Sequence, residues 1–479
     1  MADRGYSRPD PQAIPFAEFL TYRSDDQTKD SRFVNVVVEP LINPVTQETK
    51  LFVVKRDGLA QNIQPAAAAG VGRGVYYWER TGATYSVVGT TLYKGTSSLQ
   101  VLNTSTGAVS FSETQGATPY LVLQDGTDMW VVETSDTVTE VTDVDAPTPM
   151  TQGLEVIDGY TVAIKSSTGE VYNSDVDNPL SWTATNFLSP EMFPDKAVAL
   201  SRYRNLLIVF GSRSTEFFYD AANATGSPFS RVEQMAQQIG CAAASTVARE
   251  RDMVFFVGQT QYGRAVYTLE KDRFTPISDG PLNRILNEEG STDIASADAM
   301  IVKIQGRPCY VLSLNSLGAS FVYDPETKIW TEISTNNSGA HGKFSCIYST
   351  DDGTGKTVVQ HRTDGYLYKM NRGTYTDDDS GGSILVDIIT NKIDGETNLR
   401  KFVSRFEVMG DFVSGATLNV QYSDDDYATW STARALDMSR HMRLSNMGSF
   451  RRRALKFTHS DDTRLRLEKF EFEFDLGEY

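Results

Sequence analysis

Cysteine and histidine are scarce in this chain, with three and four copies among 479 residues. Cys241, Cys309 and Cys346 are odd in number, far apart and free of any CxxC pairing. That spacing excludes a disulfide framework or a zinc cage and leaves three small core hydrophobes. His341, His361, His441 and His459 form no HExxH or similar ligand spacing, so no metal or cofactor is expected. No run of about 18 apolar residues exists to span a membrane. The opening MADRGYSRPDPQAIPFAEFL has no apolar stretch of signal-peptide length, so the chain is expected to be made in a cytoplasm with no address of its own. Cations are also short: 45 Lys+Arg face 62 Asp+Glu, a formal net charge of −17. Such a chain does not attract duplex DNA through its average field, because phosphate binding needs clustered cations. Solubility explains the acidity, and so does a passage that must not grip DNA moving through it.

Aromatic and turn residues are plentiful, with 22 Tyr, 24 Phe and 36 Gly. Tyr, Phe, Val and Thr suit a pleated, half-buried surface, and Gly supplies tight turns. The length calls for two or three domains. Through the middle runs a two-strand unit: an apolar segment, a short polar or Gly-containing turn, then a segment centred on an aromatic. The aromatics are Tyr93, Trp130, Tyr172, Tyr219, Tyr267, Tyr323 and Tyr368, at intervals of 37 to 56 residues. One propeller blade takes roughly 40–50 residues. A small antiparallel sheet with two apolar faces cannot bury both alone, whereas radial packing buries every face. Runs such as NLLIVF and MVFFV, apolar on both faces, fit inner blade strands. The fold is therefore read as all-β: a β-propeller of six or seven blades, followed by a C-terminal β-sandwich-like domain.

The boundaries expected from composition are an extended N-terminal arm at 1–30, the propeller at 31–375, a linker at 376–384 and the sandwich at 385–479. The linker is read from the acidic Gly/Ser stretch YTDDDSGG. FVNVVVEPL and KLFVVKRDGL are expected to close the ring by completing a terminal blade.

Few motifs carry chemistry. GTGKT at 353–357 lacks the earlier Gly of a phosphate loop, since Thr350 stands there, and a strand-like VVQHR follows instead of a helix. GVGRG at 70–74 lacks dinucleotide-binding spacing and reads as a flexible turn. No GxSxG is present, and no catalytic residue is assigned. SDDDYATW at 423–430 is similar to the Asp-box of sialidases and related propellers, with Tyr427 where that pattern has Gly; the motif is a structural hairpin turn. Between residues 440 and 466 the charge inverts. Arg440, Arg443, Arg451, Arg452, Arg453, Lys456, Arg464 and Arg466 face only two acids. The seven arginines are the candidate subunit interface, against an acidic neighbouring surface; a solvated strand or contact with the DNA backbone are the other readings.

Three regions, taken in order, resemble the packaged-DNA stabilisation (tail accessory, hub or nozzle) proteins of short-tailed phages. They are FVNVVVEPL…LFVVKRDGL with RGVYYW…TLYKG, then LLIVFGSRSTEFFYDA through CAAASTVARERDMVFFVG, then RLSNMGSFRRRALKF…LRLEKFEFE. The resemblance implies a non-enzymatic virion tail protein in a homo-oligomeric, hexameric ring below the portal and its adaptor ring. It also implies contacts to tailspikes or fibres and to a needle or nozzle, and a part in retaining genomic DNA. The alternative is a tail protein that binds or cleaves host-surface carbohydrate, motivated by the propeller repeat and the Asp-box-like turn.

Overall fold

The computed structural model describes residues 12–17, 31–190, 192–379 and 381–477, and most of the expected arm at 1–30 lies outside them. The chain forms two compact units. One comprises residues 60–320 and 343–370; the other comprises 1–59, 321–342 and 371–479.

The larger unit is a β-propeller. Six antiparallel blades are complete sheets, and five of them follow one another in sequence: residues 72–101, 110–140, 155–188, 197–231 and 240–276. The closing blade has strands Cys346–Asp351, Thr357–His361 and Leu367–Asn371, and its fourth strand is Gly58–Ile63 from the other end of the sequence. Before it comes a further meander. Its first two strands, Asp298–Ile304 and Arg307–Leu314, belong to this unit, whereas the residues of its outer strands from Phe321 on are counted in the other unit. The first strands of successive sheets pack side by side around the axis, and those of the closing and first blades also meet.

All seven aromatics picked from the sequence fall on the third strand of successive meanders. Examples are Tyr93 in Thr91–Lys94, Tyr219 in Thr215–Asp220 and Tyr368 in Leu367–Asn371. The repeat is thus in register with the blades. Apolar clusters fill the spaces between neighbouring sheets. Trp78, Val87 and Leu92 of the first blade pack on Leu121, Leu123 and Trp130 of the second. Phe210 and Phe217 of the fourth pack on Phe256 and Phe274 of the fifth, with the Phe210 and Phe256 rings 4.7 Å apart. Each such buried side chain is worth about 1.5–3 kcal/mol. The three cysteines are buried, as core residues would be, and burial pushes the Cys241 thiol up to about 12.

Polar side chains join blade to blade. Gln360, fully buried in the closing blade, accepts from Gly74 N at 2.9 Å and donates to Val87 O at 3.0 Å, both in the first blade. Arg73 reaches Gly107 O at 2.7 Å and Thr104 O at 2.8 Å, both just before the second blade. Here the expected flexible turn at GVGRG is corrected: Gly72–Trp78 is the innermost strand of the first blade. Its glycines exist for close approach, since a Cβ at Gly72 would stand 2.5 Å from His361 O and one at Gly74 2.4 Å from Val109 O.

The smaller unit is a β-sandwich. One sheet runs Val36–Ile42, Thr49–Lys55, Arg466–Leu476, Lys401–Gly410 and Met442–Leu444, with Gln12–Pro15 also paired to Arg466–Leu476. In this unit the other runs Ile329–Ile333, Arg32–Val34, Val386–Ile389, Ala454–His459, Thr417–Ser423 and Arg434–Asp437. Between them sits one apolar cluster centred on Phe16, Phe406, Phe457, Phe470 and Phe472. Phe16, expected in an extended arm, is fully buried there, 4.9 Å from the Phe457 ring.

The expected boundaries are corrected accordingly. Residues 31–57 are not propeller: the hairpin Val36–Lys55 is a sandwich hairpin, and Gly58–Ile63 completes the closing blade. Nor is 376–384 a linker. Thr376–Asp377 pairs with Gly382–Ser383, and Asp377 is 1 % exposed. Its carboxylate takes two bonds from the equally buried Arg56, at 2.9 and 2.5 Å, and accepts Leu59 N at 3.1 Å. An acidic Gly/Ser composition hid a buried ion pair.

Candidate functional site: the axial cavity and the arginine segment

At the propeller axis the inner strands enclose a cavity of about 400 Å³, floored by Tyr76, Phe111, Arg249, Met300, Lys303 and Tyr348, among others. The first strands of different blades bring these residues together, because alternate side chains of each inner strand point to opposite faces of its sheet and so meet those of the neighbouring blades. Its charges are largely matched. Lys303 pairs with Asp351, and Arg249 lies 3.4 Å from Glu155. Burial pushes the Glu155 carboxyl above its ordinary range, with Arg249 and Arg202 opposing it. Burial likewise raises the Tyr76 and Tyr348 phenols. Tyr76 stacks on Phe111 with centroids 6.1 Å apart.

At the rim of the closing blade lies GTGKT. Its amides are already taken: Asp351 accepts Gly353 N at 2.8 Å, and Asp352 accepts Thr354 N at 2.8 Å and Lys356 N at 3.1 Å. Two internal carboxylates fill the place of a phosphate, and strand Thr357–His361 follows. Among the described residues no group of three or more His, Cys, Asp or Glu is placed to hold a metal ion.

The seven arginines proposed for an interface lie in the sandwich unit, and the structure separates them. Arg453 is corrected out of the set. It is fully buried, bonded through two nitrogens to Asp424 at 2.7 Å each and to Met447 O at 2.6 Å, with its guanidinium 3.9 Å from the Tyr422 ring centroid. Four others have partners within the unit. Arg443 meets Glu407 at 2.9 Å, Arg440 meets Asp437 at 3.1 Å, and Arg464 lies 3.8 Å from Asp411. Arg466 holds Glu39 at 2.9 Å while covering the Phe52 ring. Arg451 and Arg452 are exposed on a turn with no ion-pair partner among the described residues. They alone keep their charge uncommitted. The flanking Lys456 is paired with Asp387 at 3.0 Å.

Two features of this unit escaped sequence reasoning. One is the Arg56–Asp377 pair. The other is Lys55, fully buried, whose ammonium donates to Asp461 O at 2.7 Å and lies 3.5 Å from His459 Nδ1. Burial and the neighbouring Arg56 bring Lys55 down to about 8; burial and Lys55 bring His459 down to about 4. Both lysine and histidine sit in alternating strands where periodicity marks an inward position, but charge argued for an outward one. The Asp-box-like turn behaves as a turn. Asp425 accepts Thr429 N at 3.0 Å and Ser423 Oγ at 2.9 Å, while Tyr427 takes the left-handed φ of 63° where the pattern has Gly.

Inner strands packed around a closed axis, with apolar clusters between the sheets, define a β-propeller protein, here carrying a second, sandwich unit. Residues 22–375 match the family described as Phage_stabilise, Bacteriophage P22 Gp10, β-propeller. The chain belongs to that family, which makes it a bacteriophage structural protein. No curated protein matches it. Similar solved structures include a streptogramin B lyase (9 % identity, TM-score 0.39, covering 67 % of this chain and 97 % of that one). Another is virginiamycin B lyase from Staphylococcus aureus (9 %, 0.38, 66 % and 98 %). A third is the extracellular domain of a hybrid two-component system from B. thetaiotaomicron (12 %, 0.45, 82 % and 47 %). With TM-scores this low they add nothing to the argument.

Proposed function

We propose that the protein is a non-enzymatic component of a short-tailed phage tail. Copies of it form a ring, a hub or nozzle, that links the portal and adaptor to distal tail parts and helps retain packaged DNA. The observation that carries this reading is the family match over residues 22–375, coincident with a propeller whose blades are welded by buried polar bonds. Such a body is rigid. The portal and adaptor, tailspikes or fibres, and a needle are its partners in this reading, and it needs no cofactor. A hexamer suits the resemblance noted from the sequence.

Arg451 and Arg452 are then the interface cations, since an exposed charge with no internal partner costs nothing to fold around and is available to an acidic neighbour. The test is Arg451→Glu/Arg452→Glu in the assembled phage. The purified variant melts within about 1 °C of wild type, because exposed substitutions stay within ~0.5 kcal/mol. Its incorporation into particles, read by quantitative gel of purified virions, falls. Particles with normal occupancy and full DNA content overturn the assignment.

A further inference from the structure

We propose that the groove between the fourth and fifth blades binds a neutral saccharide, with Tyr262 as its stacking platform. This does not rest on the hub reading. The groove encloses about 590 Å³ and is lined by Phe193, Arg213, Gln238, Gln259, Thr260, Gln261 and Tyr262. That volume lies in the range of small-ligand sites.

The aromatic is displayed, not stranded. Tyr262 is 90 % exposed on the turn joining strands Met253–Thr260 and Gly263–Glu270. A loose turn would give such a side chain no defined position, yet this one is braced twice. Thr260 Oγ1 accepts Tyr262 N and donates to Gly263 O, each at 3.1 Å. From outside, Asn287 on the helix Gly280–Glu288 accepts Arg264 N at 2.8 Å and donates to Arg264 O at 3.1 Å. The Arg264 guanidinium in turn donates to Leu286 O and Glu289 O at the end of that helix. Gly263 has φ +125°, and a Cβ there would stand 2.6 Å from Asn287 Oδ1. This is the chain's longest described helix, and much of its C-terminal half is spent holding the Tyr262 turn. Bracing the backbone fixes where the Tyr262 side chain leaves the turn, and so removes part of the ordering entropy from a binding event.

The groove's chemistry selects the ligand. Among the described residues that line it there is no carboxylate, and Arg213 is the one cation. A metal ion lacks ligands there, and a polyanion or duplex would need a cluster of cations. The side chains of Arg213, Gln238 and Gln261 make no hydrogen bond to other described residues and face the groove uncommitted. A glutamine amide offers a donor and an acceptor side by side, and guanidinium offers paired donors. Neighbouring sugar hydroxyls need that pattern, while the C–H face of a pyranose lies on an aromatic ring.

The test uses the full chain on an array of neutral hexose and N-acetylhexosamine oligosaccharides, followed by titration calorimetry of any glycan bound. Tyr262→Ala is expected to weaken binding about tenfold, from the loss of one aromatic contact. Tyr219→Ala, on another exposed tyrosine of the same propeller, leaves affinity unchanged. Asn287→Ala removes the brace without removing any groove side chain, and weakens binding several-fold. A folded protein that binds no array member at millimolar concentration overturns the proposal. So does a bound glycan whose affinity Tyr262→Ala leaves intact, or a Tyr262→Ala phage that fails only in protein assembly, which would mark a protein-docking face.

Discussion

Consider Asp377→Ala. If residues 376–384 were a solvated linker, the change would fall within ~0.5 kcal/mol, as surface substitutions do. The structure assigns a different cost. Asp377 and Arg56 are each 1 % exposed, and the same guanidinium also donates to the neutral acceptors Asn35 Oδ1, Asp57 O and Ser334 O. Removing the carboxylate breaks a buried ion pair held through two nitrogens, which costs about 3–5 kcal/mol. Leu59 N also loses its acceptor, for about 1 kcal/mol more. With a urea m-value of ~2 kcal/mol/M the sandwich transition moves down by about 2 M. Urea titration read by hydrogen exchange on peptides covering 31–59 and 371–379 isolates that unit. The double replacement Arg56→Met/Asp377→Leu restores most of the loss, because a well-packed apolar pair substitutes for a buried ion pair at little net cost. A shift under 0.5 kcal/mol in the single variant, or a double variant as damaged as the single, refutes the reasoning.

Two further outcomes can be checked. His459 has its folded pKa depressed to about 4 against an ordinary 6.5, so the native state binds fewer protons than the unfolded chain between those values. Its contribution is therefore present above pH 6.5 and lost as pH falls towards 4, up to about 3 kcal/mol over 2.5 units; His459→Gln flattens that slope in urea titrations run from pH 7 to pH 4. Gln360→Ala removes the amide that ties the closing blade to the first, leaving Gly74 N and Val87 O without their side-chain partner. A loss of about 1–3 kcal/mol is expected, with faster exchange in residues 72–78 and 357–361, and unchanged exchange there would show that the ring is held shut by apolar contact alone.

The propeller was legible because its evidence is local and recurrent. An aromatic on each third strand repeats at blade spacing, and hairpins join neighbours in sequence. The sandwich core was legible as alternating strands, but its membership was not. Val36–Ile42 and Thr49–Lys55 carry a strand pattern that says which face is apolar and nothing about which distant strand they join. Hence they were expected in the ring, whereas Thr49–Lys55 pairs with Arg466–Leu476. Charged residues misled for a different reason. Arg453 sits in the run Arg451–Arg453, and composition cannot show that, just before strand Ala454–His459, it turns inward onto Asp424 while its two neighbours face water. Asp377 was hidden likewise among acids and glycines. The groove at Tyr262 left only a faint signal, an aromatic at the tip of a hairpin turn in GQTQYGR.

Strand Arg466–Leu476 lies in the interior of its sheet, paired with Gln12–Pro15, Thr49–Lys55 and Lys401–Gly410. On a ribosome it emerges after every one of those partners. The earlier strands therefore wait, edges open, through the synthesis of an entire propeller before their keystone arrives. A chain stopped short of residue 466 would carry finished blades and a sheet with a missing centre, so translation errors late in the message leave the sandwich unit incomplete.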